Sequence, residues 1–228
     1  MGFALLVLFM FLAFGLTTLF RRWIDIPTLL AVAIGCAVNA NIFYPLTAPV
    51  PLGSLVFSIE CVLYTLFMYT IVVRILDYGY KAAKTMTFTS IAAILISAFI
   101  ELIAIFSRDG FNVDSIKSFS RYLFSSFGTI VGVWVMIFIT IKCRLKNISN
   151  YLIIPFAIVA SSIIHAIVFY GGIALVEQRM DLYTLNAFFG TLIGKAVCIG
   201  LGVFCYFINK KWWPPLNLVE SEERNNDN

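Results

Sequence analysis

The sequence predicts an all-α fold: a polytopic membrane helix bundle of about seven transmembrane helices. Three observations carry that prediction. Hydrophobic residues make up 61% of the 228-residue chain and charged residues 12%, against roughly 25% charged in a soluble domain. The mean hydropathy is +0.95. Apolar runs of about 20 residues recur along the chain, the length that crosses a ~30 Å hydrocarbon core as a helix.

Seven such segments fall at about 2–20, 27–43, 53–75, 87–106, 122–142, 150–175 and 185–208. The first has no basic stretch before it and no small-residue cleavage site before Arg21-Arg22, so it reads as a retained helix and not as a signal peptide. Segments three and four flank Tyr78-Gly79-Tyr80 with Lys81 and Lys84. Segments five and six flank Lys142, Arg144 and Lys146. The seventh ends at Lys210-Lys211. The bundle is expected to occupy 1–209. The rest, 210–228, carries Glu220, Glu222, Glu223 and a run of Asn and Asp, the composition of a short, disordered polar tail.

Loop charge predicts the orientation. Arg21, Arg22, Lys81, Lys84, Lys142, Arg144, Lys146, Lys210 and Lys211 follow odd-numbered segments. Loops after even-numbered segments carry Arg108, Lys117 and Arg121 diluted by Asp109 and Asp114, then Arg179. The positive-inside rule places the odd loops and the C-terminus in the cytoplasm and the N-terminus outside, in the cell membrane. Trp23, Trp212 and Trp213 fall at the cytoplasmic edges, where amphipathic rings favour the interface.

Cys36, Cys61, Cys143, Cys198 and Cys205 form no CxxC pair and read as small packing residues. Neither a disulfide framework nor a metal or cofactor site is expected. The net charge of +4 reflects loop cations, so no nucleic-acid partner is expected. Walker A, GxGxxG and HExxH motifs are absent. Ser161 and Ser162 precede His165 without the glycine context of a nucleophile elbow, so no enzymatic activity is expected. Small residues spaced by four, Ala33/Ala37, Gly128/Gly132 and Gly190/Gly194, predict close helix packing inside the bundle.

The residues that point to function are ionisable groups inside apolar runs. Glu60, Glu101, His165 and Lys195 each carry an insertion cost of at least a few kcal/mol when charged at the bilayer centre. Glu60 falls roughly 10 Å inside its helix, with Tyr64 one turn further on the same face. Asn39 and Asn41 end the second segment, and Thr191 lies one turn before Lys195. Each has a structural reading beside the functional one. Glu101 can snorkel, His165 can pack as a neutral residue, and Lys195 and Glu60 can form an ion pair that only specifies helix pairing. The functional reading makes Glu60, Tyr64, Glu101, His165, Lys195 and Asn41 the lining of a polar substrate site open to the outside.

Gly53-Ser54-Leu55-Val56-Phe57 leads into a long helix that ends in Asp77-Tyr78-Gly79-Tyr80-Lys81-Ala82-Ala83-Lys84. This resembles the vitamin uptake transporter family that includes the queuosine-precursor transporters, and more loosely the S-components of energy-coupling factor transporters. Arg121 with Ser125 and Ser126, Lys195 in the last helix, and Asn39 and Asn41 fit the same pattern. The family's acidic pair falls at Val72 and Leu76, which are apolar here. The resemblance covers about 27–210. It implies a six-helix core with both ends cytoplasmic, plus one extra N-terminal helix. It also implies uptake of a vitamin-like or nucleobase-like small molecule. Beyond that substrate and the lipid bilayer, the partners implied are energising ATPase and transmembrane subunits or a second copy of the chain. The alternative from a different class is a non-transporting scaffold or regulatory protein whose buried charges specify helix packing.

Overall fold

The computed structural model describes residues 50–52, 55–57, 59–178 and 182–212, with Leu12 alone before them. The spans expected at 2–20 and 27–43, the pair Ala33/Ala37, Cys36, Asn39 and Asn41 lie outside the described residues. So do the chain beyond Trp212 and, with them, the full seven-helix count.

Where the sequence predicts a helix from residue 53, the chain instead forms two short strands, β1 (Val50–Leu52) and β2 (Leu55–Phe57). They pair antiparallel with Leu52 opposite Leu55. In sequence the two strands are separated by Gly53-Ser54, a Gly-first pair of the kind that closes two-residue hairpins. Pro51 has no amide hydrogen for a ladder, and a two-stranded ribbon is a place that tolerates it. The described residues are therefore helical apart from one short antiparallel strand pair.

Helix α1 spans Ile59–Asp109, 51 residues. A straight helix of that length is roughly 75 Å long, more than twice the hydrocarbon core. The helix breaks at Gly79, with φ 74 and ψ −152, a conformation essentially confined to glycine. Arg144 Nη1 donates to the Ile75 carbonyl at 2.9 Å, an acceptor that an unbroken helix pairs with the Gly79 amide. The predicted loop over 76–86 is thus a sharp helical corner.

Helix α2 (Val113–Leu145) begins just beyond α1. The Asn112 side chain caps it by accepting from the Ser115 amide at 2.8 Å. Lys142 and Arg144 occupy its last turn, where cations complement the helix dipole. Helix α3 (Asn150–Glu177) follows a short turn with Asn147 at φ 54. Helix α4 (Leu182–Trp212) completes the described chain and packs on α1, α3 and β2.

Contacts set the directions. Arg144, at the end of α2, meets Ile75, while α2 starts beside the end of α1. The arm 59–78 therefore runs parallel to α2, and the arm 80–109 runs back. Asn150 meets Tyr206 at 3.0 Å and Arg121 pairs with Glu177, which sets α3 antiparallel to both α2 and α4. The result is five alternating legs at the positions of predicted segments three to seven.

The arm 59–78 is the centre of the bundle: from Cys61 to Leu76 every residue is buried. Its enclosure keeps Arg74, Thr65 and Thr70 away from the apolar outer faces of the bundle. The arm 80–109 buries one stripe, Ala83, Met86, Ser90, Ile94 and Ser97, and turns Phe88, Leu95, Phe99 and Ile103 outward. Four helices among the described residues are long and apolar enough to cross a membrane, and their outward faces are apolar. The chain is an integral membrane protein.

Candidate functional site

A costly side chain in the core is Lys195. It is 2% exposed and lies roughly 20 Å along α4 at 1.5 Å per residue. Its ammonium sits 3.7 Å from the centroid of the Tyr64 ring and 3.2 Å from His165 Nδ1. The first contact sets a cation on the negative face of a π system. In the second, a charged ammonium offers only donors, so Nδ1 accepts in the tautomer that carries its hydrogen on Nε2. The Tyr64 and His165 rings are 4.6 Å apart, and Phe169 stacks with His165 at 5.9 Å. Three legs, the first arm of α1, α3 and α4, thus meet at one polar point.

A hydroxyl relay extends from it. Tyr64 Oη lies 3.2 Å from Ser161 Oγ, and Ser161 Oγ donates to Met68 Sδ at 3.7 Å. Ser161 has one hydrogen, so Tyr64 is the donor in the first bond. Gly132 of α2 closes the group: a Cβ placed on it would fall 2.8 Å from Ser161 Oγ and 3.0 Å from Tyr64 Oη. Gly128, one turn earlier, packs the same way against the His165 carbonyl at 3.2 Å. The pair Gly128/Gly132 therefore serves packing within the chain.

One turn before Lys195, the Thr191 hydroxyl bonds Tyr170 Oη at 2.9 Å, and its carbonyl accepts from Cys61 Sγ at 3.9 Å. Ser162, 2% exposed and one turn before His165, has no hydrogen-bond partner for its hydroxyl among the described residues. Buried threonines of the bundle bond the carbonyl four residues back, as Thr65, Thr70 and Thr140 do.

Of the residues expected in the site, the structure brings together Tyr64, His165 and Lys195. Glu101 stands outside this group, on the returning arm of α1 in line with the buried Ser97 and toward Arg108. Glu60 lies in the first turn of α1, four residues before Tyr64, with its side chain outside the described residues; Asn41 lies outside them altogether. Ser161 is read from the sequence only as a neighbour of His165, and Gly132 only as a spacing. Arg74, near the end of the first arm of α1, is 1% exposed, with its guanidinium 3.8 Å from the Tyr78 ring centroid. Its place four residues before a tyrosine was the available signal.

The site is an interior cation held by an imidazole and a phenol inside a helical membrane bundle. No family model, curated protein or solved structure matches this chain.

Proposed function

We propose that the protein is an integral membrane transporter, or the substrate-binding subunit of one, for uptake of a small polar molecule of vitamin-like or nucleobase-like chemistry. The observation that carries the reading is the convergence of Tyr64, His165 and Lys195 from three separate legs at the interior of the bundle. A buried ammonium in a membrane helix costs at least a few kcal/mol, and such residues mark substrate or ion pathways. The resemblance to the vitamin uptake transporter family over 27–210 supports the substrate class. Loop charge supports an external N-terminus and a cytoplasmic C-terminus in the cell membrane.

The test is thermal unfolding of the purified protein with vitamins, nucleobases and deazapurines, wild type against Lys195→Met. A ligand at about 100 times its dissociation constant adds roughly 2.7 kcal/mol to the native state. The expected result is stabilisation of wild type by one class and none of the variant. No stabilisation by any compound, with Lys195→Met merely less stable, moves the assignment to a scaffold whose buried charge specifies packing.

A further inference from the structure

The corner of α1 gathers cations from two distant stretches of the chain. Arg144 Nη1 donates to the Ile75 carbonyl at 2.9 Å, across 69 positions, and a Cβ on Gly79 would fall 2.9 Å from the same nitrogen. The last turn of α2 therefore rests on the break in α1. That contact brings Lys142 and Lys146, which flank Arg144, to the end of the bundle where Lys81 and Lys84 follow Gly79. All four lysines are exposed. None of them forms an ion pair among the described residues. Asp77 is the one acidic side chain that the described residues place at this end. Like charges gathered at one place repel, and an anion between them relieves the repulsion. The opposite end differs: there Arg108 pairs with Asp109 and Arg121 with Glu177.

The two legs that meet here are built alike. Lys84 stands one turn from Phe88 on the returning arm, and Lys142 one turn from Phe138 on α2. Both phenylalanines are exposed on outward apolar faces, and the Lys142 ammonium lies 5.6 Å from the Phe138 ring centroid. On each leg the lysine is on the side of the corner and the phenylalanine on the side of the apolar span. That is the order of a phospholipid at a membrane surface, charged headgroup above and acyl chain below. We propose that this corner is a binding site for anionic phospholipids. The phosphodiester sits between the lysines of the returning arm and those of α2, and the acyl chains run along Phe88 and Phe138. Inorganic phosphate carries the charge but no chains for the phenylalanine faces to meet, so the occupant is lipid and not the free anion. The positive-inside rule describes how basic loops are retained during insertion. The site proposed here is a property of the folded chain, because it needs Arg144 docked on the corner of α1. It rests neither on transport nor on which leaflet the corner faces.

The experiment is native mass spectrometry of the full-length protein released from a neutral detergent. It is titrated with phosphatidylglycerol or with phosphatidylcholine of the same acyl chains. Wild type is compared with Lys84→Gln/Lys142→Gln and with Lys117→Gln, which removes an exposed lysine at the opposite end. Wild type is expected to bind phosphatidylglycerol at least about twentyfold more tightly than phosphatidylcholine. The double variant should lose about twentyfold in affinity for phosphatidylglycerol, roughly fivefold for each basic residue beside an anionic headgroup. Lys117→Gln should bind as wild type does, and inorganic phosphate at the same concentrations should not displace the lipid. Equal affinity for the two lipids, displacement by inorganic phosphate, an equal loss in Lys117→Gln, or a double variant that binds phosphatidylglycerol like wild type would overturn the site. Should the double variant not fold, wild type decides alone. Its preference should fall severalfold between about 50 mM and about 500 mM ammonium acetate, as exposed charges are screened, and a preference that salt leaves unchanged would overturn the proposal.

Discussion

At the scale of single residues, the site separates two contributions of one side chain. Tyr64 offers a ring to Lys195 and a hydroxyl to Ser161. Tyr64→Phe keeps the ring and loses the hydroxyl, so it should cost about 1 kcal/mol, the net worth of an ordinary hydrogen bond. Tyr64→Leu also removes the face that the ammonium rests on and should cost roughly 2 kcal/mol more, the scale of a desolvated cation–π contact. Thermal unfolding of both variants in one detergent checks the ranking; equal losses would mean that the ring contact contributes nothing. Gly132→Ala tests the same cluster from α2. Its methyl would fall on Ser161 Oγ and Tyr64 Oη, so overpacking of about 1–3 kcal/mol is expected. An unchanged unfolding midpoint would show that the hydroxyls move aside freely. The polar members of this cluster were legible in the sequence, because an ionisable group inside an apolar run is conspicuous. Their meeting was not, because helical periodicity gives each residue a face but not the identity of the leg across from it.

At the scale of elements, α1 is a hairpin of two membrane-length arms made by one glycine. Gly79→Ala places a Cβ in a backbone conformation that costs of order 1–3 kcal/mol for other residues, and 2.9 Å from Arg144 Nη1. Arg144→Ala removes the donor to the Ile75 carbonyl, leaving a buried acceptor with a penalty of about 1–3 kcal/mol. The double variant should fall short of the sum, since the clash disappears with the arginine while the backbone strain remains. Strict additivity in unfolding measurements would separate the two and undo this account of the corner. The corner's position was readable from Tyr78-Gly79-Tyr80 between two apolar runs. Its form was misread as a loop because glycine with basic residues ordinarily signals one, whereas the helix breaks at Gly79 alone and Arg144, 69 positions away, takes up the Ile75 carbonyl. The hairpin over 50–57 was missed for a different reason. Val-Pro-Leu and Leu-Val-Phe are as apolar as the helix they precede, and length alone favoured a span, although Gly53-Ser54 between them carried the turn signal.

At the scale of the whole molecule, the alternation of legs makes orientation testable. On a cysteine-free background, Lys146→Cys in the turn between α2 and α3 and Lys117→Cys near the start of α2 lie at opposite ends of the bundle, and both native side chains are exposed. A membrane-impermeant maleimide applied to intact cells should label the residue 117 variant and spare the residue 146 variant until the cells are opened. The reverse pattern would invert the orientation that loop charge predicts.

What the sequence by itself determined is the solvent this protein lives in, the places of five described legs and the side chains too polar for their surroundings. These follow from composition and from runs of hydropathy, which are local along the chain. Only the tertiary structure decided that the arm 59–78 is enclosed by the others, that Arg74 is buried and that Glu101 stands apart. It alone seated Lys195 between Tyr64 and His165. Each of these depends on which legs are neighbours, and that is set by close packing of small residues such as Gly128 and Gly132 against one particular helix. In a membrane, where every leg is equally apolar toward lipid, hydropathy does not choose among neighbours; shape and the few polar contacts do.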